Sequence, residues 1–481
     1  MDTVKEKIKS VPLTDFVRKA MVRYGLAVNE DRSLPEIIDG LKPVQRRVLW
    51  AAYRMNLTKP VKTARIVGDV LGKYHPHGDK SVGDAIETMV TQSLPTMLGE
   101  GNWGSIVGDT PASMRYTNAM LSNYGSLVFF DPYYMPVVDL VPNYDGSEKE
   151  PVILPTLLPN LLLNGVSGIG VGVTSEIPSF TLKSVIDLLE NMLSSAKKCT
   201  PNLCLKTLVY TTPADAMVNR KAQQAALLEF YKTGIGIVEY APRLKVTNNE
   251  VHITGVAPFK GIDNYVSKIL SLANSKNVSS FQDQCSQWKL WFILKPTKGM
   301  SAENLAAEVK KYLSSVKHFK INVTERKLFM DTGWPEVKVS FRKTNVPEIV
   351  NLWLEERTRL EIRATQYQLE VLQKQIRKNE VLRLAVRLRD FIISIIKNDA
   401  LKDSEIKSLL MKKLEISEAE AAMLYDLKWR QLRSLEDATL VEQLKKQRLV
   451  EKQYEARIKS PEKAILESIV KIKTTLIKDK K

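Results

Sequence analysis

Cysteine is nearly missing from this chain: Cys199, Cys204 and Cys285 are the only three in 481 residues. So few exclude a disulfide framework and point to a reducing compartment. Cys199 and Cys204 have no second Cys or His pair at zinc spacing, so no metal site is expected. Long apolar runs are missing too. The stretch 157–173 is apolar, but Pro159, Asn160, Asn164 and four glycines break it. It reads as buried core and turns, not as a membrane span. The polar, acidic N-terminus does not read as a secretory signal. A cytoplasmic protein without a membrane partner is the expectation. There is no Gly-x-x-x-x-Gly-Lys-[Ser/Thr] phosphate loop and no Asp-x-Asp pair for two metals. The run Gly165-Val166-Ser167-Gly168-Ile169-Gly170 departs from Gly-x-Gly-x-x-Gly spacing, which argues against a dinucleotide site.

What the chain has is positive charge. Lys+Arg 71 against Asp+Glu 54 gives a formal net charge of +17. An excess of that size predicts an anionic partner, and nucleic acid is the first candidate. In part of the C-terminal third the lysines read as a solvated helical surface instead.

The length suits several domains. Residues 1–29 read as an N-terminal arm with one helix over Thr14–Leu26. Residues 30–155 alternate short helices with glycine turns: Pro43–Arg54, started by a proline well placed at the first helical position, then Lys62–Lys73 and Lys80–Gln92. Several short helices with a basic face suggest a helix-turn-helix or winged-helix module. Residues 156–345 mix strands (Gly234–Tyr240, Glu250–Thr254, Leu290–Leu294) with helices over Asp263–Ala273 and Ala302–Leu313. Residues 346–481 are helical. Leu360, Ala364, Tyr367, Val371, Val381, Ala385, Leu388, Ile392 and Ile395 keep coiled-coil spacing, with Lys374 and Lys378 interrupting at two core positions. Ser417-Glu418-Ala419-Glu420 is a capping box inside a compact helical piece. Leu440–Ile458 is amphipathic and long enough to run back antiparallel.

One dipeptide carries chemistry. Arg115-Tyr116 closes the run Gly101-Asn102-Trp103-Gly104-Ser105 … Gly108-Asp109-Thr110-Pro111-Ala112-Ser113-Met114. A tyrosine hydroxyl, with a pKa near ~10, is a poor nucleophile at neutral pH. An adjacent guanidinium favours the phenolate and neutralises a phosphate under attack. Glycine-rich segments let a backbone approach a phosphodiester closely. Phosphoryl transfer to tyrosine is the chemistry this suggests. Lys42, Arg46 and Arg47 fall within a turn and a half of helix and can present a shared basic face to phosphates. A solvated charge cluster is the plain alternative. For His75, structural and functional readings stand even; His77, in the Pro76-His77-Gly78 turn, reads as functional.

The order of blocks narrows this further. Arg32-Ser33-Leu34-Pro35, Asp39-Gly40-Leu41-Lys42-Pro43-Val44-Gln45-Arg46-Arg47, Tyr74 to Asp79, Gly101 to Ser105 and Arg115-Tyr116-Thr117 follow one another. Asn143-Tyr144-Asp145-Gly146-Ser147-Glu148 and Leu158 to Gly172 come next. The series closely resembles the breakage-reunion subunit of type IIA DNA topoisomerases, the gyrase A and topoisomerase IV C subunits. It is dense from Leu26 to Pro178 and looser beyond.

The resemblance implies an α+β multidomain chain. A winged-helix DNA-gate domain precedes an α+β tower, and a long antiparallel coiled coil carries a helical dimerisation gate. It implies Tyr116 as nucleophile, with Arg115, Arg32 and His77 at the scissile phosphate. Lys42, Arg46, Arg47, His75, Lys80, Asn164, Ser167 and Ile169 would meet DNA. Ile169 would act as an apolar wedge between base pairs, with Asn164 and Ser167 holding its loop. The partners implied are double-stranded DNA, a second copy joined through N- and C-terminal gates, and a gyrase B-like ATPase/TOPRIM subunit in a heterotetramer. Mg²⁺ and ATP would bind that subunit. No C-terminal β-propeller follows the coiled coil in this sequence, so a short form is expected.

Two positions depart from bacterial members. Gln45 stands where they often carry histidine. Lys80 stands where a small hydroxyl residue, with the equivalent of Asp84, helps hold quinolones through a metal-bound water. Weak quinolone recognition is the expectation. Two rival readings remain at this point: a non-catalytic DNA-bending dimer, and a tyrosine recombinase. Recombinases place their tyrosine near the C-terminus, after the Arg and His residues.

Overall fold

The computed structural model of the chain describes residues 11–105, 109–212, 214–256, 263–286, 289–330, 334–396, 402–426 and 437–478. Gly108 of the tyrosine loop lies outside them. The chain is α+β, with two compact units. One holds the residues up to Arg357 and those from Leu466, and the other is Thr358–Ile465. The stretches 30–155 and 156–345 therefore share one unit. The division comes later than the 345/346 boundary read from the sequence. The C-terminal stretch also returns to the first unit, where Lys473 pairs with Glu190 at 3.0 Å.

Helix α1 (Leu13–Val28) leads into a widened π turn, Asn29–Ser33. Helix α2 (Pro43–Arg54) begins at Pro43, whose missing N–H costs nothing there. Gln45 Oε1 accepts from Lys42 N at 3.0 Å and so satisfies one free donor at the helix start. Its apolar face, Val48, Leu49, Ala51 and Ala52, is fully buried. It packs against α3 (Thr63–Lys73) and α4 (Asp79–Thr91), which bury Ile66, Val67 and Val70, and Val82, Ile86 and Met89. A small antiparallel sheet joins them, with Asn118–Leu121 between Val61–Lys62 and Met97–Glu100. Helix α4 starts one residue earlier than its sequence pattern suggests. Gly78, not Asp79, caps it.

Two four-stranded antiparallel sheets follow. In one, Ile235–Tyr240, Ser315–Lys320, Thr174–Ile177 and Val166–Ile169 lie side by side in that order. In the other the order is Arg243–Thr247, Glu250–Gly255, Phe292–Pro296 and Val278–Asp283. The strand expected over Leu290–Leu294 begins at Phe292, which pairs with Asp283. A hairpin, Asn322–Phe329 with Glu336–Lys343, pairs over its whole length. Helices Asp263–Ala273 and Ala302–Leu313 lie where the periodicity puts them.

A long helix, Val346–Arg387, belongs to the second unit from Thr358 on, where it lies beside Asp437–Lys459. Glu361 meets Arg457, Gln373 meets Glu451, Asn379 meets Gln447 and Arg383 meets Asp437. One number rises as the other falls, so the two helices are antiparallel. Ala364, Val381, Ala385, Ile392 and Ile395 are buried as the sequence spacing puts them, and the seam departs from it only in the middle. Lys374, Lys378 and Tyr367 are exposed, and Ile376 is the buried residue at 2% exposure. The lysines do not interrupt the core because they face solvent. At the end of the pair, Ile392, Ile406, Leu410, Leu414, Ala421 and Leu424 form one apolar cluster with Val381 and Ala385 of the long helix and Leu440 of its partner. Ser417 and Glu420 make the expected capping box on the helix Glu418–Tyr425. Among the described residues, no helix is long and apolar enough to cross a membrane.

Candidate functional site

The tyrosine loop is tied to α3 at two points, and its side chains between them are exposed. Ala64 N donates to Met114 O at 3.1 Å, and Thr63 N donates to Thr117 O at 3.0 Å. The hydroxyls of Thr63 and Thr117 also share a hydrogen bond of 2.8 Å. The first turn of α3 therefore pins residues 114 and 117 and leaves Arg115-Tyr116 as a protruding turn, with Tyr116 N donating to Ser113 O at 2.8 Å. Trp103, within the same run, is buried and donates its indole N–H to Glu100 O at 3.1 Å. Gly104 turns the chain with φ +81, and a Cβ there would meet Asp109 O at 2.5 Å. Tyr116 is 64% exposed, and the Arg115 guanidinium carbon lies 5.0 Å from its ring centre.

A second cluster surrounds a cavity of about 880 Å³. Arg32, Lys42, His75, His77, Asn164 and Ser167 all line it, with Asp84 and Glu176; Arg115 and Tyr116 do not. Arg32 reaches it from the π turn. That turn is closed by Leu34 N donating to Asn29 O at 3.4 Å. It is braced from the hairpin, where Arg326 Nη2 donates to Glu30 O at 2.8 Å and Thr324 N donates to Pro35 O at 2.9 Å. Such π turns are rare and collect at functional sites.

His75 is buried, and its fixed orientation has a visible cause. Arg47 Nη1 donates to His75 Nδ1 at 3.2 Å. Arginine only donates, so Nδ1 is bare and the proton sits on Nε2. Burial first, then the positive fields of Arg47, His77 and Arg32, push its pKa down to about 4. It is a neutral imidazole at pH 7. His77 is exposed, its ring edge-on to His75 at 4.8 Å, and its amide donates to His75 O at 2.8 Å.

The basic face expected of Lys42, Arg46 and Arg47 does not form. Arg46 is 4% exposed and gives Nε and Nη2 to the Asp39 carboxylate at 2.6 and 2.9 Å. Asp39 also accepts from Leu41 N and Leu154 N. Arg46 is thus a buried strut, spent on Asp39 and on Leu41 O. Arg47 gives two N–H groups to Glu150 at 2.7 and 3.0 Å, and a third to His75. Only Lys42 of the three points its charge into the cavity. It donates to Ser167 O at 2.8 Å with one of its three N–H bonds. Burial lowers its pKa, opposed by Glu176.

Asn164 is committed to the fold. It accepts from Leu94 N and donates to Leu94 O and Asn160 Oδ1, each at 2.9 Å. Ser167 Oγ donates to Glu176 at 2.7 Å. Ile169 ends the strand Val166–Ile169 and is 82% exposed, the least covered of the large apolar side chains described. Lys80 is exposed in the first turn of α4, where Asp79 Oδ1 accepts its amide at 2.9 Å.

Sequence reasoning misses Asn29, Glu36, Glu150 and Arg326. Glu36 is fully buried beside Asp39. Burial, then the Asp39 charge, raise its pKa to about 8, and its Oε1 has no hydrogen-bond partner. Among the described residues no three His, Cys, Asp or Glu side chains gather as a metal site would need.

Known proteins resemble this chain over nearly its whole length. It is 31% identical over 478 residues to the DNA gyrase A protein of Borrelia hermsii, covering 96% of this chain and 57% of that protein. It is 31% identical over 449 residues to the DNA gyrase A protein of Helicobacter pylori strain J99, covering 90% and 52%. With the DNA gyrase A protein of Metamycoplasma arthritidis the figures are 30% over 485 residues, 98% and 52%. The chain spans about half the length of these curated relatives. The model of the DNA gyrase/topoisomerase IV A-subunit family matches residues 32–472, and the chain belongs to that family.

Proposed function

We propose that this chain is the DNA-cleaving and rejoining subunit of an ATP-dependent type II DNA topoisomerase. The observation that carries this is Arg115-Tyr116, an exposed phenol beneath a guanidinium on a turn pinned at both sides. The Tyr116 oxygen attacks a backbone phosphorus and the P–O3′ bond breaks. The 3′ oxygen leaves as a hydroxyl, and a 5′-phosphotyrosine remains. Attack by that hydroxyl reverses the step. The ester keeps the bond energy, so resealing needs no added energy. Arg115 takes up negative charge that develops on the phosphate.

Arg32, Lys42 and His77 line a cavity that Tyr116 does not share. We read a homodimer as what brings the two sets to one phosphate. The helices α2–α4 with their small sheet act as a winged-helix DNA gate. The sheets of residues 156–345 act as the tower, and the antiparallel helix pair carries the C-terminal dimer gate. Ile169, exposed at a hairpin tip, enters between base pairs and bends the duplex. A gyrase B-like partner completes a heterotetramer and supplies ATP hydrolysis. That partner also holds Mg²⁺, for which the described residues here form no acidic cluster. The enzyme works in the cytoplasm and passes one duplex through another.

The test is a covalent trap. The chain, a gyrase B-type subunit, Mg²⁺ and plasmid are mixed, denatured and digested, and the peptide bearing nucleotide is sequenced. A nucleotide on Tyr116 is expected, absent in Tyr116→Phe, with DNA affinity kept. An adduct persisting in Tyr116→Phe overturns the assignment. DNA bending without any adduct would make this a non-catalytic architectural dimer.

A further inference from the structure

Asn29 stands where α1 gives way to the π turn, and it is buried. Its carboxamide does not serve its own turn. Oδ1 accepts from Val171 N at 2.8 Å and Nδ2 donates to Val171 O at 3.1 Å, across 142 positions of sequence. Gripping both backbone groups of one residue fixes its distance and its rotation together; one hydrogen bond would leave rotation free. Val171 lies in the loop that joins Val166–Ile169 to Thr174–Ile177, closed by Gly170 N donating to Val173 O at 2.8 Å. Ile169 is two residues away.

The two segments also touch through bare backbone. A Cβ on Gly168 would lie 2.1 Å from Ser33 O, and one on Gly170 would lie 2.0 Å from Asn29 Oδ1. Neither position has room for a side chain. Lys42, just before α2, adds its bond to Ser167 O in the strand that leads into the loop. On its other side the π turn is held by Arg326. The Ile169 loop and the Arg32 turn are thus in contact over several residues, with Asn29 at the centre.

We propose that Asn29 is a positioning residue that locks the Ile169 loop to the Arg32 turn. Seating the apolar tip in the base stack and setting the guanidinium at the phosphate then become one event. This rests on the wedge and Arg32 roles given above. Without the grip, DNA is bent but the phosphate is misplaced.

The test compares Asn29→Ala, Gly170→Ala and the double variant, each with a gyrase B-type subunit, Mg²⁺ and a short end-labelled duplex. Bending is read by energy transfer between the ends, and cleavage by trapped adduct. Asn29→Ala should keep affinity and bending while adduct formation slows about tenfold to a hundredfold, the cost of a small misplacement. Gly170→Ala, which pushes Asn29 away, should do the same. The double variant should be no worse than the worse single, because both undo one grip. Additive losses, or affinity falling as far as rate, overturn the proposal. Asn29→Asp, which keeps the acceptor and loses the donor, should fall between and covers a misfolded alanine variant.

A wild-type protein that forms no adduct sinks the functional reading instead. The grip is then judged by hydrogen exchange. The Val171 amide should lose protection in Asn29→Ala together with the amide of Leu34. Loss confined to Val171 overturns the grip.

Discussion

The cavity around Arg32 and the turn carrying Tyr116 belong to the same compact unit but are built on opposite principles. In and behind the wall of the cavity many polar groups are committed to a partner. Arg46 is locked to Asp39, Arg47 holds Glu150 and His75, and Asn164 is tied to Leu94. Tyr116 instead stands in solvent, on a turn pinned to α3 at residues 114 and 117 and covered by the Arg115 guanidinium. Lys42, Asn164 and Ser167 of the cavity lining are fixed in place by their protein partners, without any ligand. The tyrosine is presented, not enclosed. The difference shows that Arg46 and Arg115, alike in type, do unlike work. One is buried against Asp39 and the other stands in solvent over Tyr116.

Four substitutions sharpen that contrast. The largest effect should be at Arg115. Arg115→Ala should slow cleavage and resealing by about 10²–10³-fold, as loss of one transition-state donor does, with little change in affinity. Single-turnover kinetics beside a binding titration will show it. An equal drop in both would make Arg115 an ordinary phosphate contact.

Asp39→Ala should act on folding instead. It leaves the Arg46 charge buried and unpaired and should cost about 3–5 kcal/mol of stability. Thermal or urea unfolding measures this. Full stability with lost DNA affinity would move Arg46 back among the DNA contacts.

Glu36 tests the cavity's foundation by pH. Its folded pKa is raised to about 8 from 4.5, so the unfolded chain ionises first. Its contribution to stability is full below pH 4.5 and is lost as pH rises to about 8, at about 1.4 kcal/mol per pH unit within that window. Glu36→Gln should flatten this slope and raise the melting temperature at pH 8. A slope unchanged in the variant would place the titration elsewhere. His75 has the reverse sign. Its pKa is lowered to about 4, so its contribution is full above pH 6.5 and lost as pH falls.

The smallest effect is at Lys80. Lys80→Ser should weaken DNA binding and reduce its salt slope by about one contact. It should also increase quinolone-stabilised cleavage. An unchanged slope would leave Lys80 as an exposed lysine, opposed by the helix dipole and tolerated.

The sequence makes some of this legible and hides the rest for physical reasons. Pro43, the Ser417 capping box and the Asp263–Ala273 periodicity are local signals, and local geometry obeys them. Arg46 escapes such a reading because a charge run on a helix has the same spacing whether it faces water or a carboxylate. The carboxylate here is tied down by Leu154, 115 residues from Asp39. The stripe holds at Ala364, Val381 and Ala385, but Lys374 and Lys378 leave it for solvent and Ile376 is buried instead, because the spacing alone does not say which residues the partner helix covers between them. Asn29 gives no signal at all. An asparagine at a helix end is ordinary, and its grip on Val171 is a tertiary fact. The cavity residues Arg32, Lys42, His75 and His77 are legible as blocks in order, but the sequence does not reveal that the tyrosine turn lies outside their lining.

The Thr324–Pro35 bond has a consequence for how the molecule is made. Its partners are 289 positions apart. At synthesis rates of about 5–20 residues per second, Pro35 leaves the ribosome about 15–60 s before Thr324. We expect the Arg32 turn to remain unbraced throughout that interval, since Arg326 comes later still. A nascent chain halted before residue 322 should show protease cleavage near Arg32 that one halted well past residue 343 resists. If both resist equally, α1 and α2 alone hold the turn.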